Sequence, residues 1–153
     1  MPPQTKTARP RGVPGWVPFF NRLARPLLSA GIPMGPNALV TIRGRRSGLP
    51  RTTPLTVVAV SGRRWLLAPF GETDWVRNLR AAGRATIASG RRTQEVTAHE
   101  LTPAERVAFF RDVLAPHARS MPLGGWIVRN VDRIDLDDPV VAADGRPVFE
   151  LLS

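Results

Sequence analysis

The chain has 153 residues, enough for one domain with its own core, and carries 22 basic against 12 acidic residues for a formal net charge of +10. It has no cysteine, which excludes disulfides, thiol catalysis, iron–sulfur clusters and thiolate zinc sites; two distant histidines do not suggest a metal cluster. No acid precedes Glu72, so residues 1–71 carry a formal +11, and the rest holds 11 basic residues with all 12 acids. This asymmetry predicts an anionic partner on one side of the molecule.

The N-terminal residues divide into a tail and a helix. Residues 1–15 are rich in Pro, Gly, Thr and Arg, which predicts a flexible basic tail before a single domain spanning 16–153. Apolar residues in 16–29 recur at helical spacing with arginines on another face, so we expect a basic amphipathic helix. Such a helix either covers a core or lies on an anionic membrane. We find no signal peptide or membrane span and expect a cytoplasmic protein, with membrane association on the cytoplasmic face through this helix as the alternative.

Strand patterns dominate the middle of the chain, with one helix among them. The predicted strands are Ala38–Arg43, Thr52–Ser61, Arg63–Pro69, Ala85–Ser89 and Gln94–Leu101. Tight turns are expected at Ser61-Gly62 and around Gly90, and a helix over Thr73–Ala82.

The last third begins with a helix signal and then weakens. Thr102, Pro103 and Glu105 form a cap, a first-turn proline and a capping-box partner for a helix to about Ala115. Residues 126–131 fit a strand or a short helix, and 135–139 a turn. We expect 140–143 and 147–152 to form a last hairpin around Asp144-Gly145. Short antiparallel strands with a few helices predict a mainly β, α+β fold, a small barrel with outer helices.

A loop between the first two predicted strands is the main functional clue. The segment, residues 37–55, reads NALVTIRGRRSGLPRTTPL, and in it two glycines, at 44 and 48, bracket two arginines and a serine. We call residues 44–49 the arginine loop. Gly44 and Gly48 let backbone N–H groups approach a ligand, and four arginines can converge there: Arg43, Arg45, Arg46 and Arg51. The segment lacks P-loop and dinucleotide fingerprints. It indicates either an anion site, with Ser47 adding a hydroxyl, or a solvated hairpin loop.

The segments TIRGRRSGLPRTTPL and DWVRNLRAAGRATI together resemble the deazaflavin-dependent, nitroreductase-like oxidoreductases of actinobacteria, which use coenzyme F-420. The likeness spans about residues 37–89 and is looser to about 101. It implies a flavin-reductase-like split β-barrel and reduced 5-deazaflavin as hydride donor, with flavin mononucleotide the second cofactor to consider. The implied cofactor-binding residues are Arg45, Arg46, Ser47, Gly48, Arg51, Pro54, Ala68, Pro69, Asp74, Trp75 and Asn78.

Within that resemblance, the basic loop would hold the coenzyme's phosphate and acidic tail. Hydride transfer needs positioning and exclusion of water more than a protein nucleophile, so no catalytic residue is assigned. The chain has no tyrosine to donate a proton, which leaves solvent, His117 or Ser120. The loop 69–73 departs from the family's lysine- and glycine-rich version, which puts the substrate range in question.

Several other residues have two interpretations. Trp75 is either a core residue at the pocket edge or a stacking platform, and Asn78 is expected to cap a backbone or ligand group. His99 is expected at the surface, and the aspartates at 132, 135, 137 and 138 in a solvated turn rather than a calcium loop. Met121 and Trp126 fit either an apolar substrate cavity or the core.

Three functions fit the sequence. The first is a reductase that transfers hydride from reduced coenzyme F-420 to a small apolar acceptor, a quinone, enone or nitroaromatic. The second is a basic nucleic-acid-binding module, disfavoured because its 10 aromatic residues do not interleave with the arginine cluster, so no nucleic-acid partner is expected. The third is a carrier that binds deazaflavin without turnover.

Overall fold

Six antiparallel strands close into a barrel in the order β1-β2-β3-β6-β5-β4 in the computed structural model, which describes residues 37–130 and 132–153. The strands are β1 (Asn37–Arg43), β2 (Pro50–Val60), β3 (Arg63–Leu67), β4 (Arg84–Ser89), β5 (Arg92–Glu100) and β6 (Val148–Leu152). The split β-barrel prediction is confirmed. The predicted tail and amphipathic helix, residues 1–15 and 16–29, lie outside the described residues.

Alternating side chains divide the core into an inner and an outer cluster. In β3, Leu66 belongs to the inner cluster, which fills the barrel, whereas Trp65 and Leu67 belong to the outer one. This alternation is the period of two that a strand imposes. The outer cluster packs against helices, and the inner cluster is completed by one helix that matters for the site.

That helix is α1 (Asp74–Ala82), which follows β3 and inserts Val76 and Leu79 into the inner cluster. Its N-cap is Thr73, and it ends at Gly83, whose φ of 71° is the left-handed conformation that glycine adopts readily. The predicted helix is therefore confirmed, with Thr73 at the N-cap position but without a capping hydrogen bond from its side chain.

Between β5 and β6 the chain is helical. A continuous segment comprises α2 (Pro103–Ala108), a π-helical stretch (Phe109–Leu114) and α3 (Ala115–Ser120), followed by α4 (Gly124–Asn130) and α5 (Pro139–Ala143). Phe109, Phe110 and Leu114 cover the outer cluster. The capping box at Thr102 and Glu105 is confirmed, but the helical segment runs beyond Ala115 to Ser120.

The predicted last hairpin is wrong. Residues 139–143 form a helix because Asp138 accepts a hydrogen bond from the Val141 N–H and Pro139 takes the first helical position. Strand β6 instead lies between β3 and β5 and closes the barrel.

Three predictions about single residues are also corrected. Met121 and Trp126 are not core residues, because they are 41% and 62% exposed, and neither lines the cavity between the arginine loop and helix α1. Asp132 is not simply solvated: burial raises its pKa to about 6, against the opposing charge of Arg146. His99 is exposed, as predicted.

Candidate functional site

An open cavity of about 370 Å³ lies between the arginine loop and helix α1. Charged and apolar side chains share its wall, so one ligand could meet both kinds of surface. Its lining residues are Ile42, Gly44, Arg45, Arg46, Ser47, Arg51, Thr53, Asp74, Trp75 and Asn78.

The arginine loop is held by its own backbone. The Gly44 N–H donates to the Leu49 carbonyl at 2.8 Å, and the Gly48 N–H donates to the Gly44 carbonyl at 2.9 Å. A Cβ on Gly44 would lie 2.9 Å from Ser47 Oγ and 3.2 Å from the Leu49 oxygen, so a side chain there would push the loop open. Gly48 has a φ of 70°, which favours glycine. Both bracketing glycines are therefore required by the loop's geometry.

Helix α1 forms the opposite wall and contacts the loop directly. Asn78, only 7% exposed, accepts two hydrogen bonds at its Oδ1, from Arg45 N at 3.1 Å and from Arg45 Nη1 at 2.8 Å. One turn earlier, Asp74 Oδ1 lies 3.4 Å from Arg45 Nη2. The expectation that Asn78 caps a backbone group is confirmed.

The other face of α1 is anchored by an ion-pair cluster. Arg80 donates to Glu100 at 2.7 Å and to Glu72 at 2.8 Å. The hydrogen bond from Arg80 lowers the pKa of Glu72, and the two carboxylates raise the pKa of Arg80. These contacts keep both carboxylates paired on a side of the helix away from the cavity, whose described lining holds one carboxylate, Asp74.

Two of the lining cations have no acidic partner in the described part of the chain. Arg46 and Arg51 form no ion pair or side-chain hydrogen bond there, whereas Arg45 is bound to Asn78 and Asp74. A guanidinium group without an acidic partner can bind a phosphate or carboxylate of a ligand bidentately. Ser47 Oγ accepts from the Leu49 N–H at 3.2 Å and keeps its own proton to donate.

The apolar part of the wall comes from Ile42 and Trp75. Ile42 is buried in β1, and the half-buried Trp75 packs against Phe149 with ring centroids 6.2 Å apart and planes tilted by 52°. Trp75 therefore belongs to the core edge and borders the cavity at the same time. Its position agrees with the first of its two interpretations.

Seven of the eleven predicted cofactor-binding residues line this cavity: Arg45, Arg46, Ser47, Arg51, Asp74, Trp75 and Asn78. The other four do not line it: Gly48, Pro54, Ala68 and Pro69. Gly48 shapes the loop, Pro54 is buried in β2 opposite Leu39, and Ala68 is buried after β3. Pro69 is tied by its carbonyl to the Nε of the buried Arg146 at 3.0 Å.

Three lining residues are not among the eleven implied cofactor-binding residues: Ile42, Gly44 and Thr53. Of these, the sequence pointed only to Gly44, as a residue that lets the loop backbone approach a ligand. Thr53 could have been found, because it lies two residues after Arg51 on a strand and so faces the same side. Ile42 pairs with Arg51 across β1 and β2, a register that only the fold reveals.

The two residues considered as proton donors lie elsewhere. His117 and Ser120 belong to α3, whose buried residues join the outer cluster, and Ser120 Oγ donates to the His117 carbonyl at 2.7 Å. Neither lines the cavity. No group of three or more potential metal ligands occurs among the described residues. No helix in that part of the chain is long and apolar enough to cross a membrane.

The family model described as F420H(2)-dependent quinone reductase matches residues 22–121. The chain belongs to this family. It is therefore an oxidoreductase whose cofactor is coenzyme F-420, and the matched range includes the arginine loop and α1, the two walls of the cavity.

Solved structures similar to this reductase include an F420-H2 dependent reductase (FDR-A), at 23% identity, with 76% of this chain and 93% of that chain covered and a TM-score of 0.49. A structure described as a domain-swapped dimer has 21% identity, coverages of 89% and 96%, and a TM-score of 0.51. A putative 5-nitroimidazole antibiotic resistance protein from Bacteroides thetaiotaomicron has 12% identity, coverages of 83% and 78%, and a TM-score of 0.52. The last two share the barrel fold.

Proposed function

We propose that this reductase binds coenzyme F-420 in the cavity between the arginine loop and α1 and passes its hydride to a small apolar acceptor, a quinone, enone or nitroaromatic. The observation that carries the proposal is that one cavity has Arg46 and Arg51, without acidic partners among the described residues, on one side and Ile42 with Trp75 on the other. A ligand with an anionic tail and a flat ring system matches both surfaces.

The cationic wall fits the anionic tail. Arg46 and Arg51 lack carboxylate partners among the described residues, and Ser47 can donate a further hydrogen bond. Charge-assisted hydrogen bonds contribute about 1.5–3 kcal/mol each, so two or three supply much of the ~8 kcal/mol of a micromolar ligand. No acid precedes Glu72, and the one carboxylate in the described lining, Asp74, is paired with Arg45, so this tail would meet little repulsion.

The apolar wall fits the ring. Trp75, fixed by Phe149, and Ile42 offer a rigid surface that excludes water from one side of a bound ring. When bound, reduced coenzyme F-420 supplies the hydride. The protein must hold the ring and the acceptor at the distance and orientation that hydride transfer requires. With no tyrosine in the chain and His117 away from the cavity, we assign the completing proton to solvent.

The test is a turnover assay with purified protein and reduced coenzyme F-420. Oxidation of the coenzyme, followed by absorbance, should depend on protein and on an added acceptor, with menadione, cyclohexenone and a nitroaromatic tried in parallel. Arg51→Gln should reduce the rate at low coenzyme concentration. Arg91→Gln, in the β4–β5 turn and outside the cavity lining, is the matched control and should leave it unchanged.

Two outcomes would contradict the proposal. Tight coenzyme binding with no oxidation by any acceptor class would identify a carrier. Equal loss in Arg51→Gln and Arg91→Gln would show that general positive charge, rather than this cavity, attracts the coenzyme.

A further inference from the structure

The four arginines around the loop are not in equivalent environments. Arg45 is bound to α1 at three points, whereas Arg46 and Arg51 have no partner within the described residues. The Arg45 side chain is 23% exposed, and it joins residues 33 positions apart in sequence. This contact therefore links the two walls of the cavity, the arginine loop and α1.

The contact converges on one atom. Asn78 Oδ1 receives both the Arg45 backbone N–H and its guanidinium Nη1, and an amide oxygen has two lone pairs to offer. Because only the oxygen can accept, the two donors also fix the orientation of the amide. The Nδ2 group must then point away from Arg45, and Asn78 lines the cavity.

The position of Asn78 makes this contact rigid. The residue is 7% exposed, and its helix neighbours Val76 and Leu79 are completely buried in the inner cluster, so the backbone that carries Asn78 is held in place by the core. The loop is closed by its own Gly44 and Gly48 hydrogen bonds, but no other side-chain bond in the described residues ties it to α1 besides those of Arg45. Asp74, 84% exposed, adds a weaker second contact at 3.4 Å.

We propose that Asn78 is a positioning residue that latches the arginine loop to α1 through Arg45, so that Arg46 and Arg51, and not Arg45, make the direct contacts to the coenzyme's anionic tail. The proposal rests on the proposed function for the identity of the ligand. The latch itself is a property of the free protein. It fixes the cationic groups before the ligand arrives, which lowers the ordering cost of binding.

The first test needs no coenzyme. The hydrogen-exchange rate of the Arg45 backbone amide, measured by NMR, should rise about tenfold in Asn78→Leu, which keeps a side chain branched at Cγ and removes the acceptor. It should stay within about twofold of wild type in Asn78→Asp, which keeps an acceptor oxygen, and in the matched control Arg46→Gln. An unchanged rate in Asn78→Leu would overturn the latch.

The second test separates positioning from direct contact by titration with oxidised coenzyme F-420 at several salt concentrations. Asn78→Leu should weaken binding about tenfold without altering the salt dependence, because no charge is lost. Arg46→Gln should weaken binding and flatten the salt dependence, because a cation that contacts the tail has been removed. A salt dependence unchanged in Arg46→Gln would overturn its direct role.

A double-mutant cycle decides the role of Arg45. If Arg45 acts through Asn78, the double variant Arg45→Gln/Asn78→Leu should bind the coenzyme with an affinity within about twofold of that of the weaker-binding single variant. In the double variant Arg46→Gln/Asn78→Leu, by contrast, the two fold-losses in affinity should multiply. Multiplicative losses in the Arg45 pair would make Arg45 a direct ligand and overturn the proposal.

Two safeguards keep these results interpretable. If Asn78→Leu does not fold, Arg45→Gln leaves the buried core intact and should shift the NMR resonances of the Asn78 side-chain amide; unshifted resonances would overturn the latch. If wild-type protein does not bind the coenzyme, the proposed function and the direct-contact half of the proposal fail, while the Arg45 exchange rates still decide the latch.

Discussion

Replacing Asp132 with asparagine should remove a loss of stability that the wild-type protein undergoes as pH rises. Burial raises the pKa of Asp132 from an ordinary 3.8 to about 6, although the nearby Arg146 opposes this shift. Arg146 is itself buried and donates to the carbonyls of Pro69, Ala142 and Arg133, so it cannot move closer to the carboxylate without losing them. Ionisation of Asp132 therefore lowers the stability of the folded protein.

The sign and size of the effect follow from that shift. Because the folded-state pKa exceeds the unfolded one, the folded protein binds more protons between about pH 3.8 and 6, and the contribution of Asp132 to stability is lost as pH rises through this window. At 1.36 kcal/mol per pH unit, ionised Asp132 costs about 2–3 kcal/mol at pH 7. Groups with lowered pKa values, such as Glu72, act in the opposite direction at lower pH, so the variant must be compared with wild type at each pH.

The assay is urea unfolding followed by tryptophan fluorescence at intervals from pH 4 to pH 7.5. The difference in unfolding free energy, Asp132→Asn minus wild type, should increase by about 2 kcal/mol across the range. Asp135→Asn, at an exposed neighbour whose amide can still accept from the Asp137 N–H, is the control. If the unfolding free energies of Asp132→Asn and wild type changed in parallel with pH, the conclusion that ionised Asp132 destabilises the folded protein would be refuted.

Three further results are expected. Arg46→Gln and Arg51→Gln should each weaken coenzyme F-420 binding by about 1.5–3 kcal/mol in a fluorescence titration, with unfolding midpoints unchanged; unaltered affinity in both would remove the loop from the site. Thr102→Ala should lower the unfolding free energy by about 1 kcal/mol, because the capping box with Glu105 is lost; chemical denaturation measures this, and no change would argue against the cap. Gly124→Ala should destabilise by about 1–3 kcal/mol in the same assay, because its Cβ would collide with the Ala118 carbonyl; an equally stable variant would contradict that close approach.

Most of the barrel could be predicted because each strand carries a local signal. Leu66 alternates with Trp65 and Leu67 between two cores, and the Ser61-Gly62 turn has positive φ at both residues, the geometry that suits a two-residue hairpin. Periodicity of two and turn residues are both visible in the sequence. The order of the strands around the barrel, with β6 between β3 and β5, is set by long-range pairing and carries no such signal.

The error near the C-terminus has a local cause. Val140 and Val141 are β-branched residues that favour strands, and they outweighed the Asp138-Pro139 pair, which is a good helix start. Met121 and Trp126 were assigned to the interior on their apolar character alone, yet large apolar side chains also occur at protein surfaces.

The composition of the candidate site was predicted better than its organisation. Clustered arginines and bracketing glycines indicated an anion site, and the resemblance added the helix residues Asp74, Trp75 and Asn78. The unequal contacts of Arg45 and Arg46 were not predictable, because they depend on which guanidinium meets α1 across 33 residues of chain. Distances of this kind come only from the folded structure.

The most direct test of the central claim is a crystal structure of the protein with oxidised coenzyme F-420. We expect tail oxygens within about 3 Å of the Arg46 and Arg51 guanidinium groups and the ring against Trp75. Coenzyme bound outside this cavity, with the arginine loop facing only solvent, would contradict the account.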